Sequence, residues 1–250
     1  MSPDIDTQAV MVLLRDLGLR ADPIPESSIH KTPDLKVACS PGDVLIEVKS
    51  KEDDKRLREL LNAPHGTVHP GPSPVLASRV KEAWHQIHDY PERTDANFTV
   101  VWFIAHKPHS ITVLTGQFIV PILYGTRLLE GRTGGGQHYE KPCFFLNRAM
   151  FARYKELDAV VVHDDQTLQL CLNPLSGRYP TLRNTHLAKA FDTHFTVVDP
   201  PRMENAGTCF IADPLSEGET TNDAVRRLKS KYDLDTLTIC TYVPFNDPVE

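Results

Sequence analysis

Two short stretches decide the fold: Thr-Pro-Asp-Leu at 32–35 and Val-Leu-Ile-Glu-Val-Lys at 44–49. Side chains two positions apart in a strand point to the same face of a sheet. The second stretch therefore predicts a strand that turns Glu47 and Lys49 to one face and the apolar residues between them to a core. If Asp34 lies beside that strand, two carboxylates and one ammonium group converge on one point. Such a group can hold a divalent cation and stabilise charge that develops on a phosphate.

The residues around these stretches predict a hairpin that follows a helix. Apolar residues recur at the helical period over 7–17, where Gly18 fits a left-handed helix end. A Pro-rich connection then leads to a short strand near 35–38. The turn signal Ser-Pro-Gly-Asp at 40–43 predicts that the strand at 44–49 pairs back antiparallel.

A second helix and a buried strand follow. Ser73 can cap a helix with Pro74 at its first position, and that helix is expected to stop before Pro91. The continuous apolar run Phe-Thr-Val-Val-Trp-Phe-Ile-Ala at 98–105 is typical of a central strand covered on both faces. We expect β or mixed structure at 111–123.

We divide the chain into three parts. Residues 1–130 form the predicted core, and residues 131–142, with Gly134 to Gly136 at their centre, form a Gly-rich loop. Residues 143–250 form an additional C-terminal α/β region that completes the core or serves recognition of a substrate or partner. A helix is expected at 144–157, and a second helix is expected to be capped by Thr221.

The composition is typical of a soluble globular protein, with 250 residues, 40% hydrophobic and 24% charged residues. No apolar run approaches the roughly 18 residues that span a bilayer, so we expect no membrane association. The five cysteines are widely spaced, which is typical of reduced thiols in a cytoplasmic protein and signals neither zinc nor disulfides. The net charge of −6 argues against a surface that grips nucleic acid throughout.

The segment Pro33-Asp34, twelve further residues and then Glu47-Val48-Lys49 resembles the PD-(D/E)XK nuclease superfamily. The order of elements is similar to that superfamily's restriction-endonuclease-like core, an α/β (mixed α+β) fold with a central mixed sheet flanked by helices. Gln86 and Tyr90, one turn apart on the second helix, look like the Q-x-x-x-Y motif of the RecB-like branch. The resemblance covers roughly residues 7–105.

The resemblance implies a metal-dependent mechanism. Asp34 and Glu47 would hold Mg²⁺ or Mn²⁺, with the carbonyl of Val48 as a further ligand. Lys49 would orient the attacking water, help to deprotonate it and stabilise the transition state. Catalytic positioning of the metal shell or substrate phosphate would fall to Gln86 and Tyr90.

Many relatives carry one more acid on the first helix, and this chain offers two candidates for it. Asp16 lies near the C-terminal end of the predicted helix. Glu26 lies in the connection that follows, nearer in sequence to Asp34, and is the preferred further metal ligand.

Basic residues suggest contacts with the DNA backbone. Arg79 is expected on the same side of its helix as Gln86. The helix after Thr221 carries a basic patch, Arg226, Arg227, Lys229 and Lys231, whose alternative interpretation is a solvated face.

The sequence thus predicts a Mg²⁺-dependent nuclease that hydrolyses DNA, acting endonucleolytically in repair, restriction or defence against mobile elements. The alternative is a nuclease-like fold without catalysis that binds nucleic acid or protein. A third hypothesis is an unrelated α/β enzyme or interaction protein in which these motifs are coincidental. The C-terminal region is a candidate surface for a homodimer or partner protein.

Overall fold

The computed structural model describes residues 4–51, 74–105, 116–163 and 167–240. Its helices in these ranges are α1 (Ile5–Asp16), α2 (Pro74–His88), α3 (Gly116–Tyr124), α4 (Met150–Arg153), α5 (Tyr179–Leu182), α6 (His186–His194), α7 (Pro200–Asn205) and α8 (Thr221–Lys231). No helix in these ranges is both long and apolar enough to cross a membrane.

The strands fall into two sheets. The larger sheet contains β1 (Ala21–Pro23), β2 (Leu35–Val37), β3 (Val44–Lys51), β4 (Phe98–Ala105), β7 (Ala159–His163), β8 (Leu168–Leu172) and β9 (Thr196–Val198). The smaller sheet contains β5 (Arg127–Arg132), β6 (His138–Phe144), β10 (Phe210–Ile211) and β11 (Thr236–Ile239).

The larger sheet is mixed and runs in the order β1-β2-β3-β4-β7-β8-β9. Strands β1, β2 and β3 pair antiparallel, β3 then pairs parallel with β4, and β4 pairs parallel with β7. The hairpin β2–β3, the central strand β4 and the mixed sheet flanked by helices confirm the expectations from the sequence.

The alternation of β3 and β4 assigns the two faces of the larger sheet. Leu45 packs with residues of α2 in one core cluster. Ile46 and Val48 pack with residues of α1 and α6 in another. Glu47 and Lys49 therefore project from β3 on the face covered by α2, as the spacing predicted.

The smaller sheet runs in the order β10-β6-β5-β11 and packs against α8. Residues 131–142, expected as a Gly-rich loop, contain the end of β5, a tight turn and most of β6. Gly136 has φ of +80° in that turn, a backbone conformation that glycine adopts at no steric cost.

Three local predictions need correction. Residues 116–124 form α3 and not β structure, while 111–115 lie outside the described ranges. The helix expected at 144–157 is reduced to the four residues of α4. Helix α8 is capped by Thr220, not Thr221, with Asp223 completing a capping box.

The C-terminal half contributes to both sheets. Strands β7, β8 and β9 extend the larger sheet beyond β4, and β10 and β11 form the two edges of the smaller one. Tyr124, at the end of α3, is fully buried and donates a hydrogen bond to the carbonyl of Leu172 at 2.7 Å. This contact links the helix that leads into the smaller sheet to the end of β8.

Candidate functional site

Asp34 is fixed beside β3 by two hydrogen bonds. Its backbone N–H donates to the Ile46 carbonyl at 3.0 Å, one step before the β2–β3 ladder begins. Its side-chain Oδ2 accepts from the Val48 N–H at 2.7 Å. The side chain thus takes the place of a backbone carbonyl in the ladder, and this holds the carboxylate against the strand that carries Glu47 and Lys49.

Lys49 Nζ contacts Glu47 Oε1, and the two side chains form an ion pair when Glu47 is deprotonated. Glu47 is only 1% exposed, whereas the Lys49 side chain is 24% exposed. The second oxygen of Glu47, Oε2, is buried and accepts no hydrogen bond from the described part of the chain, and the Glu47 carboxyl lies close enough to Asp34 for the two to share a proton. A buried carboxylate oxygen without a partner carries a desolvation cost, which a cation or a proton can relieve.

Gln86 joins this pair to the segment before Asp34. From α2, its Oε1 lies 3.4 Å from Lys49 Nζ, and its Nε2 donates to the Thr32 carbonyl at 2.6 Å. The Gln86 side chain therefore connects residues 32–35 with strand β3.

The pKa values of Asp34 and Glu47 reflect the burial of both carboxyl groups and their closeness to each other. Burial, and next the charge of Asp34, raise the pKa of Glu47 to about 8. Burial also raises the pKa of Asp34, although the Val48 N–H and the Lys49 charge oppose that rise. A hydrogen bond with Glu47 lowers the pKa of Asp34, whereas Asp34 raises the pKa of Glu47, so the two carboxyl groups share one proton until a positive charge joins them.

A cavity of about 1130 Å³ opens beside Asp34 and Gln86. Glu26, the acid preferred from the sequence, lines this cavity and is exposed. Asp16 lies at the far end of α1, about 16.5 Å along the axis from the first residue of the helix.

Asp4 is an acid at this cavity that the sequence reasoning missed. It caps α1 by accepting from the N–H groups of Asp6 and Thr7, at 2.8 and 2.9 Å, and its charge contributes to the raised pKa of Asp34. The neighbouring Asp6 accepts a hydrogen bond from Ser50, the residue after Lys49. The signal was present, because Asp4 and Thr7 have the spacing of an N-cap and its third helical residue.

Tyr90 and Arg79 make other contacts. The Tyr90 hydroxyl donates to Glu92 Oε2 at 2.9 Å, and burial together with this acceptor raises the pKa of Tyr90 to about 12. Its ring lies 6.2 Å from that of His30, which lines the cavity. Arg79 is paired with Glu82 at 3.1 Å. Of the residues on this side of α2, Gln86 is the one that the structure brings to Lys49.

The basic patch on α8 is largely neutralised by acids. Arg226 lies 3.2 Å from Asp223, Arg227 pairs with Glu219, and Lys231 lies 2.8 Å from Glu204. Within the described ranges, Lys229 is the member of this patch without an ion pair. Helix α8 packs on the smaller sheet through Ala224 and Leu228, so its basic patch does not lie beside Asp34 on the larger sheet.

The donor set fits a small hard cation. No group of three or more His, Cys, Asp or Glu side chains suited to a metal occurs in the described ranges. Mg²⁺ commonly uses only one or two carboxylates and completes its shell with water and substrate phosphate. Asp34, and the unpartnered Oε2 of Glu47, meet that requirement.

No protein-family model, curated protein or solved structure matches this chain.

Proposed function

We propose that this protein is a metal-dependent nuclease of the PD-(D/E)XK type that hydrolyses phosphodiester bonds in DNA. The observation that carries the proposal is the convergence of Asp34, Glu47 and Lys49 beside one strand, with Glu47 Oε2 buried and unpartnered within the described residues. A buried charge pair that served stability alone would be expected to have its remaining polar atoms satisfied.

The order of elements supports the same proposal. Helix α1, three antiparallel strands, helix α2 and a strand parallel to β3 occur in this order in the described ranges. This is a central mixed sheet flanked by helices, the arrangement that the motif resemblance implies. The elements place the motif residues on the sheet face that α2 covers, beside an open cavity.

Each residue has a role that follows from its contacts. Asp34 and Glu47 would hold Mg²⁺ or Mn²⁺, with Asp4 or Glu26 near enough to the cavity to add an acid. When bound, the cation would polarise the phosphate and lower the pKa of a bound water. The Lys49 ammonium, held by Glu47 and Gln86, would donate to the phosphate oxygens or the attacking water. Gln86 is a positioning residue, because it acts through Lys49 and Thr32.

The second candidate function is a nuclease-like fold that binds nucleic acid or a protein partner without cleavage. The ion pairs on α8 favour the form of it that binds a protein partner, because they leave few free cations there for a DNA backbone. The two candidates differ in whether purified protein cleaves DNA when Mg²⁺ is present.

The deciding experiment is cleavage of plasmid and single-stranded DNA with Mg²⁺, Mn²⁺ or excess chelator. We expect cleavage by the wild type with either metal and none with chelator. Lys36→Ala is a matched control, because Lys36 is an exposed lysine on the neighbouring strand that pairs with Asp43 at 2.8 Å. Cleavage that persists with excess chelator would contradict the metal-dependent mechanism, and no cleavage of any DNA would move the assignment to the binding module.

A further inference from the structure

We propose that a second cavity of this protein binds a small amphipathic anion, with an apolar chain or ring inside the cavity and a carboxylate or phosphate held by Arg148 and Arg153. The cavity has a volume of about 400 Å³. Pockets that enclose small ligands measure roughly 300–1,000 Å³, so this one suits a ligand at the small end of that range. Among the described residues it shares no lining residue with the cavity beside Asp34, and the proposal is therefore separate from the nuclease assignment.

The cavity lies where α2, α3 and α4 meet the connection that follows β10. Helix α2 contributes Ala77 to its lining, α3 contributes Ile122, α4 contributes Met150 and Ala152, and the connection contributes Leu215. Ala77 and Ala152 are only half-buried, and their short side chains leave room between the helices. Transfer of an apolar group from water onto these side chains is favourable in proportion to the area that it buries.

Backbone contacts hold two walls of the cavity in place. The Asn147 N–H donates to the Gly125 carbonyl at 3.0 Å, one residue before Arg148. Gly125 lies so close to this wall that a Cβ atom at position 125 would collide with the Asn147 carbonyl oxygen. On the opposite wall, the Ala212 N–H donates to the Phe144 carbonyl at 2.9 Å at the end of β10. A ligand that enters preformed walls pays less to order its site.

Two arginines bring uncompensated positive charge to this cavity. Arg148 and Arg153 are exposed and line it, and neither has an ion pair within the described ranges. Most of the other described arginines contact a carboxylate. The described part of the cavity lining contains no acid. A negatively charged group on a ligand would therefore find a partner at this rim.

The two arginines flank the short helix α4 and suit one anionic group. The Arg153 guanidinium lies 5.5 Å from the centroid of the Tyr154 ring, a cation–π contact that restrains it. A guanidinium presents a rigid set of N–H donors that match two oxygens of a carboxylate or a phosphate. An apolar ligand would leave the arginines unpaired, and a purely ionic ligand would leave the apolar walls in contact with water. A ligand with both parts satisfies both features.

The test uses the full protein without DNA or metal. The probe is anilinonaphthalene sulfonate, which carries aromatic rings and one negative charge and fluoresces when it is buried, and phenylnaphthylamine is its uncharged counterpart. We expect saturable binding of the probe at one site, and Arg148→Ala/Arg153→Ala should weaken it by roughly tenfold or more while the uncharged compound binds as before. Arg15→Ala/Arg132→Ala is the matched control, because it removes the same charge from two exposed arginines outside the cavity lining.

The apolar part of the site is tested by filling it. Ala152→Leu places a larger side chain in the cavity and should weaken the probe and its uncharged counterpart by similar factors, and Ala77→Leu should do the same from α2. Circular dichroism establishes that each variant is folded. Octanoate and octyl phosphate should displace the probe at concentrations at least roughly tenfold below that needed for octanol, and the better of the two anions identifies the head group.

The outcomes are distinct from those of the cleavage assay. Equal effects of the two double-arginine variants, no saturable binding by the folded wild type, or displacement by neither anion would overturn the proposal. Unchanged probe binding but weaker DNA binding by Arg148→Ala/Arg153→Ala would also overturn it and assign the two arginines to the DNA backbone. Probe binding with the expected dependence supports the proposal whether or not the protein cleaves DNA.

Discussion

The carboxyl group of Glu47 is nearly inaccessible to water, and its pKa of about 8 lies well above its ordinary value of 4.5. The folded, metal-free protein therefore holds a proton that the unfolded chain releases. The stability that this proton contributes is fully present below pH 4.5 and is lost as the pH rises through about 8. Between these values one such group changes the free energy of unfolding by about 1.4 kcal/mol per pH unit.

Glu47→Gln tests this dependence. The variant should lose the part of the decline between pH 5 and 8 that Glu47 causes, because its amide does not titrate. The measurement is urea unfolding of both proteins at several pH values with chelator present. Parallel curves for wild type and variant would show that Glu47 is not protonated in the folded state.

Lys49 and Asp34 are predicted to be required for cleavage. Lys49→Ala removes the only ammonium group that the described residues place against Glu47, and Asp34→Ala removes one carboxylate of the proposed metal site. Each should lower the cleavage rate by roughly 10²–10⁴-fold while the circular dichroism spectrum stays unchanged. Unaltered cleavage by both folded variants would refute the site assignment.

At the residue scale, the sequence predicts which way a side chain points better than it predicts the groups that surround that side chain. The period of a strand was enough to put Glu47 and Lys49 on one face. The burial of Glu47 and its unpartnered oxygen depend on how α2 packs across the sheet. The bond from Asp34 to the Val48 N–H depends on the hairpin register, which the spacing alone does not specify.

Asp4 caps the first turn of helix α1 and also places a negative charge near Asp34. Asp4→Ala should lower the free energy of unfolding by about 1 kcal/mol, because the N–H groups of Asp6 and Thr7 lose their acceptor. Asp4→Asn should keep most of that stability, since asparagine is an equally good cap.

The same pair of variants tests Asp4 as the further acid of the metal site. If Asp4 contributes a ligand, Asp4→Asn should raise the Mg²⁺ concentration needed for half-maximal cleavage although its stability is retained. Glu26→Gln provides the comparison for the acid preferred from the sequence. Equal Mg²⁺ dependence in wild type and Asp4→Asn would leave Asp4 with a capping role only.

At the element scale, the errors have physical causes. The predicted first helix began at Thr7, two residues after its actual start, so its cap went unnoticed. Helix α3 was expected as β or mixed structure because a short apolar run with β-branched residues has no period that separates helix from strand. Pro121 within α3 made a helix less expected still.

The whole molecule is held together by one core cluster that contacts both sheets. It contains Val160 and Val162 of the larger sheet, Phe144 of the smaller sheet and Tyr124 between them. The Tyr124 hydroxyl lies 2.7 Å from the Leu172 carbonyl and 3.2 Å from the Val198 carbonyl. The pairing of strands from distant parts of the chain is the feature that local sequence patterns specify least.

Tyr124→Phe is expected to weaken the contact between the two sheets without altering the site at Asp34, Glu47 and Lys49. The loss of a buried hydrogen bond should lower the free energy of unfolding by about 1–3 kcal/mol. Unfolding should remain a single transition, and cleavage kinetics should be unchanged. Denaturant unfolding followed by both fluorescence and circular dichroism checks this, and two separated transitions would contradict a shared core.

The most direct test of the central claim is a calorimetric titration of Mg²⁺ into the wild type and the Asp34→Asn/Glu47→Gln double variant, with a hydrolysis-resistant DNA analogue present in both. The asparagine and glutamine side chains keep the shape of the site and remove its negative charge. The account predicts saturable binding by the wild type and its loss in the folded double variant. Mg²⁺ binding that is identical in the two proteins, or absent from the wild type, would contradict a metal site at Asp34 and Glu47.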